Sequence, residues 1–369
     1  MAVTEGVAMD HDTHNEGWGL LAAVIAVGAV IVAFPSFADS QDLPYRWDKP
    51  VQWGEKEGPE AREHGAVIVD EDRDRAILIS GSGYEPYLTP LADVWQFSLK
   101  TDKWSPLKST GPTPSGGSRR VAQLPAKKVA YLFGGYGVGS KTHNELVRVD
   151  FAEESPAFAE VPQDNPPSAR ALHAFVYDAK LDKFVLFGGV TLGDAGEKIY
   201  NDVWTMKLAD GRARWIKLDV EMPPLPRYGF FYGYDPELGR LIVFSGAQGT
   251  AEVNPARDTW LLSVRAEPPS WKQLGETRPP GRRNGCFVYD PAEQRLFVFG
   301  GTKDAKSAEP DLWVFDARSS RERWKGYVFP HGPPSRSSGF GFHDRARKRI
   351  LLGFGNAAKP YRDLYPLKY

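Results

Sequence analysis

FVLFGG, residues 184–189, is an apolar run closed by two glycines, and it is the stretch of this sequence that decides the fold. Five similar runs read AILISG, AYLFGG, LIVFSG, LFVFGG and ILLGFG. The last glycines of the six runs are Gly81, Gly135, Gly189, Gly246, Gly301 and Gly355, which lie 54 to 57 residues apart. A period of about fifty residues, kept over six units, indicates a repeat architecture.

The residues before each run repeat as well, and they predict a β-hairpin. Five of the six units have an arginine nineteen residues before the last glycine, at Arg62, Arg170, Arg227, Arg282 and Arg336. Eight residues later comes an aspartate, such as Asp178, and then a basic residue, such as Lys183. Asp opens turns because its carboxylate accepts backbone N–H groups, so an inner strand, a turn and the apolar strand are expected. The second unit breaks this pattern.

The residues after each run complete a unit of four strands. An Asn or Asp leads into an aromatic strand, as in NDVWTM at residues 201–206. In four units a second tryptophan follows, at Trp104, Trp215, Trp271 and Trp324. One such unit cannot bury both faces alone, whereas stacking in a ring lets it do so. We therefore predict an all-β fold, a six-bladed β-propeller of four-stranded blades.

The two ends of the repeat region predict how the ring closes. The sixth unit stops at Tyr369 after its third strand, while the segment around Trp47 precedes the first unit like a separate fourth strand. We expect this N-terminal strand to complete the last blade, which removes exposed sheet edges. Within a domain at 39–369, the expected blades are 62–108, 118–162, 170–220, 227–275, 282–329, and 336–369 together with 45–52.

A hydrophobic segment precedes the repeats. Residues 18–34, WGLLAAVIAVGAVIVAF, carry no charge and predict a helix that serves, within residues 1–38, as a signal peptide or membrane anchor. Ser36 and Ala38 supply small residues for cleavage before Asp39, although the first 17 residues hold no Lys or Arg. Arg46 and the basic residues after it argue weakly for a cytoplasmic C-terminal side. We expect an exported domain, periplasmic or extracellular, either cleaved after Ala38 or anchored.

Charge and cysteine content narrow the classes of function. The 46 basic and 47 acidic residues give a formal net charge of −1, so no global field favours nucleic acid or an anionic membrane. A single cysteine, Cys286, excludes an intrachain disulfide and a zinc site of several thiolates. We expect no nucleic-acid partner, metal or cofactor. Nothing in the sequence indicates an oligomeric state.

The glycine pairs, the aromatic strand and the later tryptophan resemble the kelch-repeat family, and the resemblance covers nearly everything after residue 45. It implies the propeller fold. It leaves the function open, because one fold hosts many activities. Members range from protein-interaction domains through a six-bladed sialic acid mutarotase to copper oxidases resembling galactose oxidase.

The repeated arginines have two interpretations. They stand where the inner strands begin, on the same face as the loops after the glycines, and a ring of guanidinium groups there could grip a carboxylate, sulfate, phosphate or acidic peptide. Alternatively, a residue present in almost every blade serves the scaffold. We favour the scaffold, because binding sites are usually local departures from a repeat. The candidate anion-binding ring comprises Arg62, Arg170, Arg227, Arg282 and Arg336.

Local departures therefore mark the stronger candidates. The second unit has SRRVAQLPAKK in place of the hairpin pattern, and YGVGSKTHN after its glycines. Its candidate ligand-binding residues are Arg119, Arg120, Tyr136, Lys141 and His143. The first unit adds Tyr84, whose ring suits a sugar or a peptide side chain. The loops after the glycines are short, so we expect a shallow face without a lid.

Catalytic constellations are missing from the sequence. A copper oxidase resembling galactose oxidase requires a cysteine joined to tyrosine and two histidines, whereas we expect Cys286 to be a buried apolar residue. His64, His173 and His343 fall in three different units. We predict a non-enzymatic module that binds a protein segment or an anionic glycan on the face with the inner-strand starts. A carbohydrate-active enzyme of the mutarotase or epimerase type is the alternative, and a copper oxidase is less favoured.

Overall fold

The computed structural model describes residues 43–85, 87–193, 196–249, 255–275, 278–304 and 307–369. Within these ranges the chain forms six sheets, antiparallel except for one short parallel pair in the third, which confirms the predicted all-β, six-bladed propeller. The hydrophobic segment at 18–34 and the cleavage site before Asp39 lie outside these ranges, so export stays a prediction. In the described part of the chain, no helix has the length and apolar character needed to span a membrane.

The first strands of the described residues are β1 (Arg46–Trp47) and β2 (Val51–Gln52). Blade 1 follows with β3 (Arg62–Glu63), β4 (Ala66–Asp70), β5 (Arg75–Tyr84), β6 (Tyr87–Ser98) and β7 (Lys103–Pro106). Blade 2 has β8 (Arg120–Leu124), β9 (Val129–Phe133), β10 (Leu146–Asp150) and β11 (Ala157–Glu160). Blade 3 has β12 (Gln163–Asp164), β13 (Ala174–Asp178), β14 (Lys183–Thr191), β15 (Lys198–Ala209) and β16 (Arg212–Leu218).

Blade 4 has β17 (Phe231–Asp235), β18 (Arg240–Phe244), β19 (Thr259–Ser263) and β20 (Ser270–Leu274). Blade 5 has β21 (Cys286–Asp290), β22 (Arg295–Phe299), β23 (Leu312–Asp316) and β24 (Trp324–Tyr327). Blade 6 has β25 (Phe340–Asp344), β26 (Arg349–Gly353) and β27 (Asp363–Lys368). Three short 3-10 helices cover Glu71–Arg73, Pro125–Lys127 and Val138–Ser140.

The innermost hairpin of each blade forms because its turn is specified locally. In blade 3 the Asp178 carboxylate accepts the backbone N–H groups of Lys180 and Leu181, as the Asp pattern predicts. Blade 2 has Leu124 at the equivalent position, followed by the 3-10 turn Pro125–Lys127. Its strands β8 and β9 nevertheless pair in the same register as the other hairpins. The break in the sequence pattern of blade 2 therefore changes its side chains and leaves its backbone intact.

The predicted short loops do not hold for every blade. In blades 1 and 3 the second and third strands continue as a ribbon beyond the bulges at Gly81 and Gly189. The register shifts at both glycines, whose φ angles of 123° and 98° suit glycine. The face that carries these loops is therefore uneven, with raised hairpins at two of its six sectors.

Aromatic pairs join neighbouring blades within a core that also contains many aliphatic side chains. In blades 1, 3, 4 and 5 the tryptophan of the outermost strand, here called the outer tryptophan, contacts a phenylalanine of the preceding blade. That phenylalanine stands one or two residues before the last glycine of the apolar run. The ring centroids of Phe244 and Trp324 lie 4.6 Å apart, and those of Phe187 and Trp271 lie 4.7 Å apart. Such tilted aromatic pairs add to the hydrophobic gain from burial. Blade 2 has Phe158 in place of the tryptophan.

The sixth sheet includes the first strands of the described chain. Arg46 pairs with Lys368, and Val51 pairs with Leu364. Trp47 occupies the place of the outer tryptophan and contacts Phe299 of blade 5, at 5.4 Å between ring centroids. Asp363–Lys368 therefore receives its outer strand pieces from a segment that lies about three hundred residues earlier in the sequence.

A cyclic set of backbone hydrogen bonds joins neighbouring blades. The last glycine of each run donates its N–H to the carbonyl oxygen at the arginine position of the next blade. The pairs are Gly81–Gly116, Gly135–Arg170, Gly189–Arg227, Gly246–Arg282, Gly301–Arg336 and Gly355–Arg62. The last pair links blade 6 back to blade 1, so the six blades form a ring.

Removal of β1 and β2 tests the importance of the shared sixth sheet. We expect a chain that begins at Trp53 to lose its cooperative melting transition, because the outer edge of β27 and the contact face of Phe299 become exposed. The control is a chain that begins at Leu43 and keeps both strands. Circular dichroism melting of the two chains gives the comparison. Equal melting temperatures would show that the ring does not need these strands.

Candidate functional site

The five repeated arginines are fully buried inside their blades. In blade 4 the two Nη atoms of Arg227 donate to the two carboxylate oxygens of Asp258, at 2.6 and 3.0 Å. The Nη1 atom also donates to the Ser245 carbonyl oxygen at 3.0 Å, and Nε donates to the Leu225 carbonyl oxygen. The same bidentate pairs are Arg62–Asp93, Arg170–Asp202, Arg282–Asp311 and Arg336–Asp363.

This geometry decides between the two interpretations of the arginines. Their guanidinium groups have carboxylate and carbonyl partners within their own blades, so they do not form an anion-binding rim on the face. Burial raises the pKa of Asp258, but the hydrogen bonds and charge of Arg227 outweigh it and hold that pKa below its ordinary value. The ion pair therefore persists at neutral pH. We place these five arginines in the scaffold.

Blade 2 builds the same contact from different residues. Arg119 takes the role of the missing arginine and donates through Nη2 to Glu145 at 2.9 Å. His143 approaches the same carboxylate, at 3.5 Å from Nδ1. Lys141 is exposed two residues before His143 and helps lower the pKa of that imidazole, chiefly depressed by burial. Two residues of the predicted blade 2 cluster, Arg119 and His143, thus meet at Glu145, and Lys141 lies close to them. The other two, Arg120 and Tyr136, contact different residues.

Tyr84 and Tyr136 converge on a carboxylate that the sequence reasoning missed. The Tyr84 hydroxyl donates to Glu63 Oε2 at 3.2 Å, and the Tyr136 hydroxyl donates to Oε1 at 3.5 Å. Asn356 Nδ2, from blade 6, donates to Oε2 at 2.9 Å. Glu63 is only 4% exposed, and this burial raises its pKa against the effect of the three donors. Glu63 therefore joins blades 1, 2 and 6 on the loop side of the propeller, which we name the loop face.

A second ring of backbone bonds surrounds the mouth of the central channel on the loop face. It is formed by the residues two positions after each arginine or its blade 2 equivalent, all with φ between 54° and 62°. These residues are His64, Ser118, Leu172, Gly229, Asn284 and Ser338. Each donates its N–H to the preceding member, as His64 does to Ser338 at 3.0 Å, at five of the six steps. The bond from Leu172 to Ser118 is not made in the described structure.

Arg120 extends into the channel beside that gap. Its Nε donates to the His173 carbonyl oxygen at 3.0 Å. Its guanidinium lies over the rings of Tyr232 and Phe287, in blades 4 and 5, at 5.8 and 5.6 Å from their centroids. Arg120, Tyr232 and Phe287 line a cavity of about 160 Å³ together with residues of blades 1 and 6. Among the described residues no carboxylate forms an ion pair with Arg120.

Two histidines close to Arg120 are held neutral. Burial and the Arg120 charge lower the pKa of His64 to about 3. The same causes hold the pKa of His173 well below its ordinary value. Both ring nitrogens of His173 are buried without a hydrogen-bond partner. With both imidazoles neutral, Arg120 is left as a positive charge that has no carboxylate partner among the described residues, whereas Arg119, which lines the same cavity, is paired with Glu145.

The structure also places Cys286, the residue that a copper oxidase would need joined to a tyrosine. Cys286 is buried, as expected, and burial raises the pKa of its thiol to about 12. Within the described ranges no three or more His, Cys, Asp or Glu side chains gather in a way that could hold a metal ion.

The buried Arg–Asp pairs, the glycine pairs and the six-sheet ring define a propeller of the kelch class. Residues 44–231, about half of the chain, match the family described as the KLHDC2/KLHL20/DRC7 Kelch-repeats domain. The chain belongs to this family of kelch-repeat propellers.

Several curated proteins are similar to parts of the chain. Adagio-like protein 3 of Oryza sativa subsp. japonica is 27% identical over 212 residues, which cover 56% of this chain and 32% of that protein. Adagio protein 3 of Arabidopsis thaliana is 23% identical over 78% of this chain and 46% of that protein. The Rab9 effector protein with kelch motifs of Xenopus laevis is 26% identical over 58% of each chain. The chain thus spans less than half the length of these Adagio relatives.

A solved structure supports the fold. The structure of YjhT superposes with a TM-score of 0.63 at 16% identity, covering 85% of this chain and 96% of that chain. At this level of identity the likeness concerns the fold alone.

Breaking one buried ion pair tests the scaffold role of the arginines. We expect Arg227→Ala to lower the free energy of unfolding by about 3–5 kcal/mol, because Asp258 is left without its cation in a mostly buried place. Arg214→Ala, which breaks an exposed pair with Asp210, should cost less than about 1 kcal/mol. Urea unfolding of both variants gives the comparison. Similar losses in the two variants would contradict the scaffold role.

The pH dependence of stability tests the environment of Glu63. Because the folded state raises its pKa, the folded state binds the proton more tightly than the unfolded chain does. The resulting stability is fully present below the ordinary pKa of 4.5 and is lost as pH rises through the folded value. We therefore expect Glu63→Gln to gain melting temperature relative to the unmodified protein between pH 4.5 and pH 7. The exposed Glu221→Gln is the control, and parallel curves for Glu63→Gln and the unmodified protein would contradict the assignment.

Proposed function

We propose that this kelch propeller is a binding module that holds an extended protein segment across its loop face. The observation that carries the proposal is the gathering of departures from the repeat on that face. Arg120 stands where the other blades have a buried, uncharged residue, and Glu63 is an acid at a position where no other blade has one. Tyr136 and Lys141 belong to the second unit, which departs most from the repeat. Binding sites are expected at local departures from a repeated scaffold.

The chemistry of the face favours an acidic segment. Lys141 is exposed, and Arg120 has no carboxylate partner among the described residues. The hydroxyl groups of Tyr84 and Tyr136 and the amide of Asn356 hold Glu63. Tyr136 is buried, whereas the Tyr84 ring is partly exposed on the loop face. Aromatic and arginine side chains are enriched where protein interfaces gain most of their energy.

The relatives are compatible with a protein ligand. One of them is, by its name, a Rab9 effector protein with kelch motifs, and the family of the chain is one of kelch-repeat domains. An anionic glycan remains an outcome that the experiment below separates from a protein segment. The carbohydrate-active alternative stays a prediction from the resemblance.

Charge reversal on the two faces of blade 2 tests the proposal. Peptides are first selected from a displayed library against the full chain, and their affinities are then measured for two variants. Lys141→Glu changes the loop face, whereas Lys127→Glu changes an exposed lysine in the hairpin turn at the opposite end of the inner strand. We expect Lys141→Glu to weaken acidic peptides by about tenfold and Lys127→Glu to leave them unchanged.

The outcomes separate the competing ideas. If Lys127→Glu weakened binding and Lys141→Glu did not, the ligand would lie on the opposite face. If no peptide were selected but an acidic oligosaccharide array gave binding that Lys141→Glu reduced, the ligand would be a glycan. Either result would overturn the proposed protein segment.

A further inference from the structure

Position-by-position comparison of the six blades shows that the departures concentrate at one junction, between blades 2 and 3. The first residue of the inner strand is Arg120 in blade 2, whereas the other blades have buried Ala, Phe or Cys residues there. One position earlier, blades 1, 5 and 6 have glycine, blade 4 has Phe230, and blades 2 and 3 have Arg119 and His173. The backbone ring at the channel mouth is also broken at this junction, at Leu172.

The groups left without partners at this junction include both donors and acceptors, because the broken step leaves the Leu172 N–H and the Ser118 carbonyl oxygen unpaired and a neutral His173 has one nitrogen of each kind. The Leu172 N–H has no backbone acceptor, unlike the equivalent N–H groups of the other blades. Ser118 Oγ, Arg119 Nη1 and both ring nitrogens of His173 are buried without a hydrogen-bond partner. Arg120 uses only Nε in a hydrogen bond, so its Nη atoms keep four N–H groups. Buried polar groups in native proteins are rarely left unpaired, and each such case asks for a missing partner.

The nearby acceptors do not satisfy these donors. The carboxylate of Glu63 is held by Tyr84, Tyr136 and Asn356, and that of Glu145 is held by Arg119 Nη2. The rings of Tyr232 and Phe287 lie below the Arg120 guanidinium and attract its charge without accepting its in-plane N–H groups. A positive charge without a carboxylate partner, on residues next to further unpaired N–H groups, is an arrangement that attracts an anion. Of these residues, Arg119 and Arg120 line the cavity.

We propose that the junction of blades 2 and 3 at the channel mouth is a site for one small anion, a carboxylate or an inorganic oxyanion, held by Arg120. The cavity of about 160 Å³ has room for an anion of this size and not for a folded element. The proposal deepens the proposed function, since a protein segment on the loop face would supply the carboxylate from an acidic residue. Binding of a free anion does not require the proposed function.

Titration with free anions tests the site directly. Sodium acetate and sodium phosphate are titrated into the full chain at constant ionic strength with sodium chloride as reference, and calorimetry and melting temperature report binding. We expect saturable binding to the unmodified protein and at least a tenfold loss in Arg120→Ala. Alanine is the residue of blades 1 and 3 at this position, as Ala66 and Ala174, so the fold should tolerate it.

Two further variants show whether anion binding depends on this junction or only on the total positive charge of the protein. His173→Phe brings in the residue that blade 4 has at this position, Phe230, and removes two unpaired nitrogens, so it should weaken the anion several-fold while the propeller stays folded. Arg214→Ala removes the same charge from an exposed position and should leave anion binding unchanged. Equal binding by Arg120→Ala and the unmodified protein, or no saturable binding of either anion, would overturn the proposal.

A peptide experiment distinguishes the source of the anion. An acidic peptide selected on the loop face is compared with its Glu→Gln and Asp→Asn versions on the unmodified protein and on Arg120→Ala. If the carboxylate of the segment occupies the site, one such change should lose affinity only when Arg120 is present. If acetate binding depends on Arg120 while every peptide binds both proteins alike, the site takes a free anion. Acetate binding without any peptide ligand would support the anion site and reject the proposed function alone.

Discussion

The propeller depends on one interaction that five blades repeat, the buried bidentate pair between an arginine before the inner strand and an aspartate in or just before the third strand. Arg227 joins Asp258 to the carbonyl groups of Ser245 and Leu225, so a single guanidinium ties together three segments of its blade. Taking both charges out of water is costly, and the cost is offset only because the remaining N–H groups are also satisfied. The pair therefore fixes the relative placement of strands more than it adds net stability.

The buried Arg–Asp pairs limit which positions of the repeat can carry a binding residue. In five blades the arginine at the strand start is committed to the scaffold, and its carbonyl group also accepts the glycine N–H of the preceding blade. Blade 2 lacks that arginine and rebuilds the contact with Arg119 and Glu145. Arg120 is thereby left outside the scaffold, at a position that is buried and uncharged in the other blades. A charge in the channel that has no carboxylate partner among the described residues follows from this local change.

Most of the fold could be predicted from the sequence, because glycine spacing and alternating apolar strands report local structure. The scaffold role of the arginines could be favoured from their repetition, but their partners could not be named, because Asp258 lies 31 residues from Arg227 and no local pattern joins them. Tyr84 is a predicted site residue for its aromatic ring, and Tyr136 is one because it belongs to the unit that departs most from the repeat. Glu63 was missed because two of its partners are 73 and 293 residues away, and only alignment of the six units shows that no other blade has an acid at its position.

The ring of backbone hydrogen bonds at the channel mouth contains strained residues next to the proposed anion site at Arg120. Five of its six members adopt left-handed backbone conformations without being glycine, which costs about 1–3 kcal/mol for each. At most steps the residue gains an inter-blade hydrogen bond that offsets part of this cost. Leu172 keeps φ at 56°, and Ser118 keeps φ at 58°, although the bond between them is not made. Backbone strain that no hydrogen bond offsets persists only where surrounding residues enforce it. Here it leaves the Leu172 N–H unpaired, one residue before the His173 carbonyl oxygen that Arg120 contacts. An anion could accept this N–H, but completing the sixth step would also require a donor for the Ser118 carbonyl oxygen.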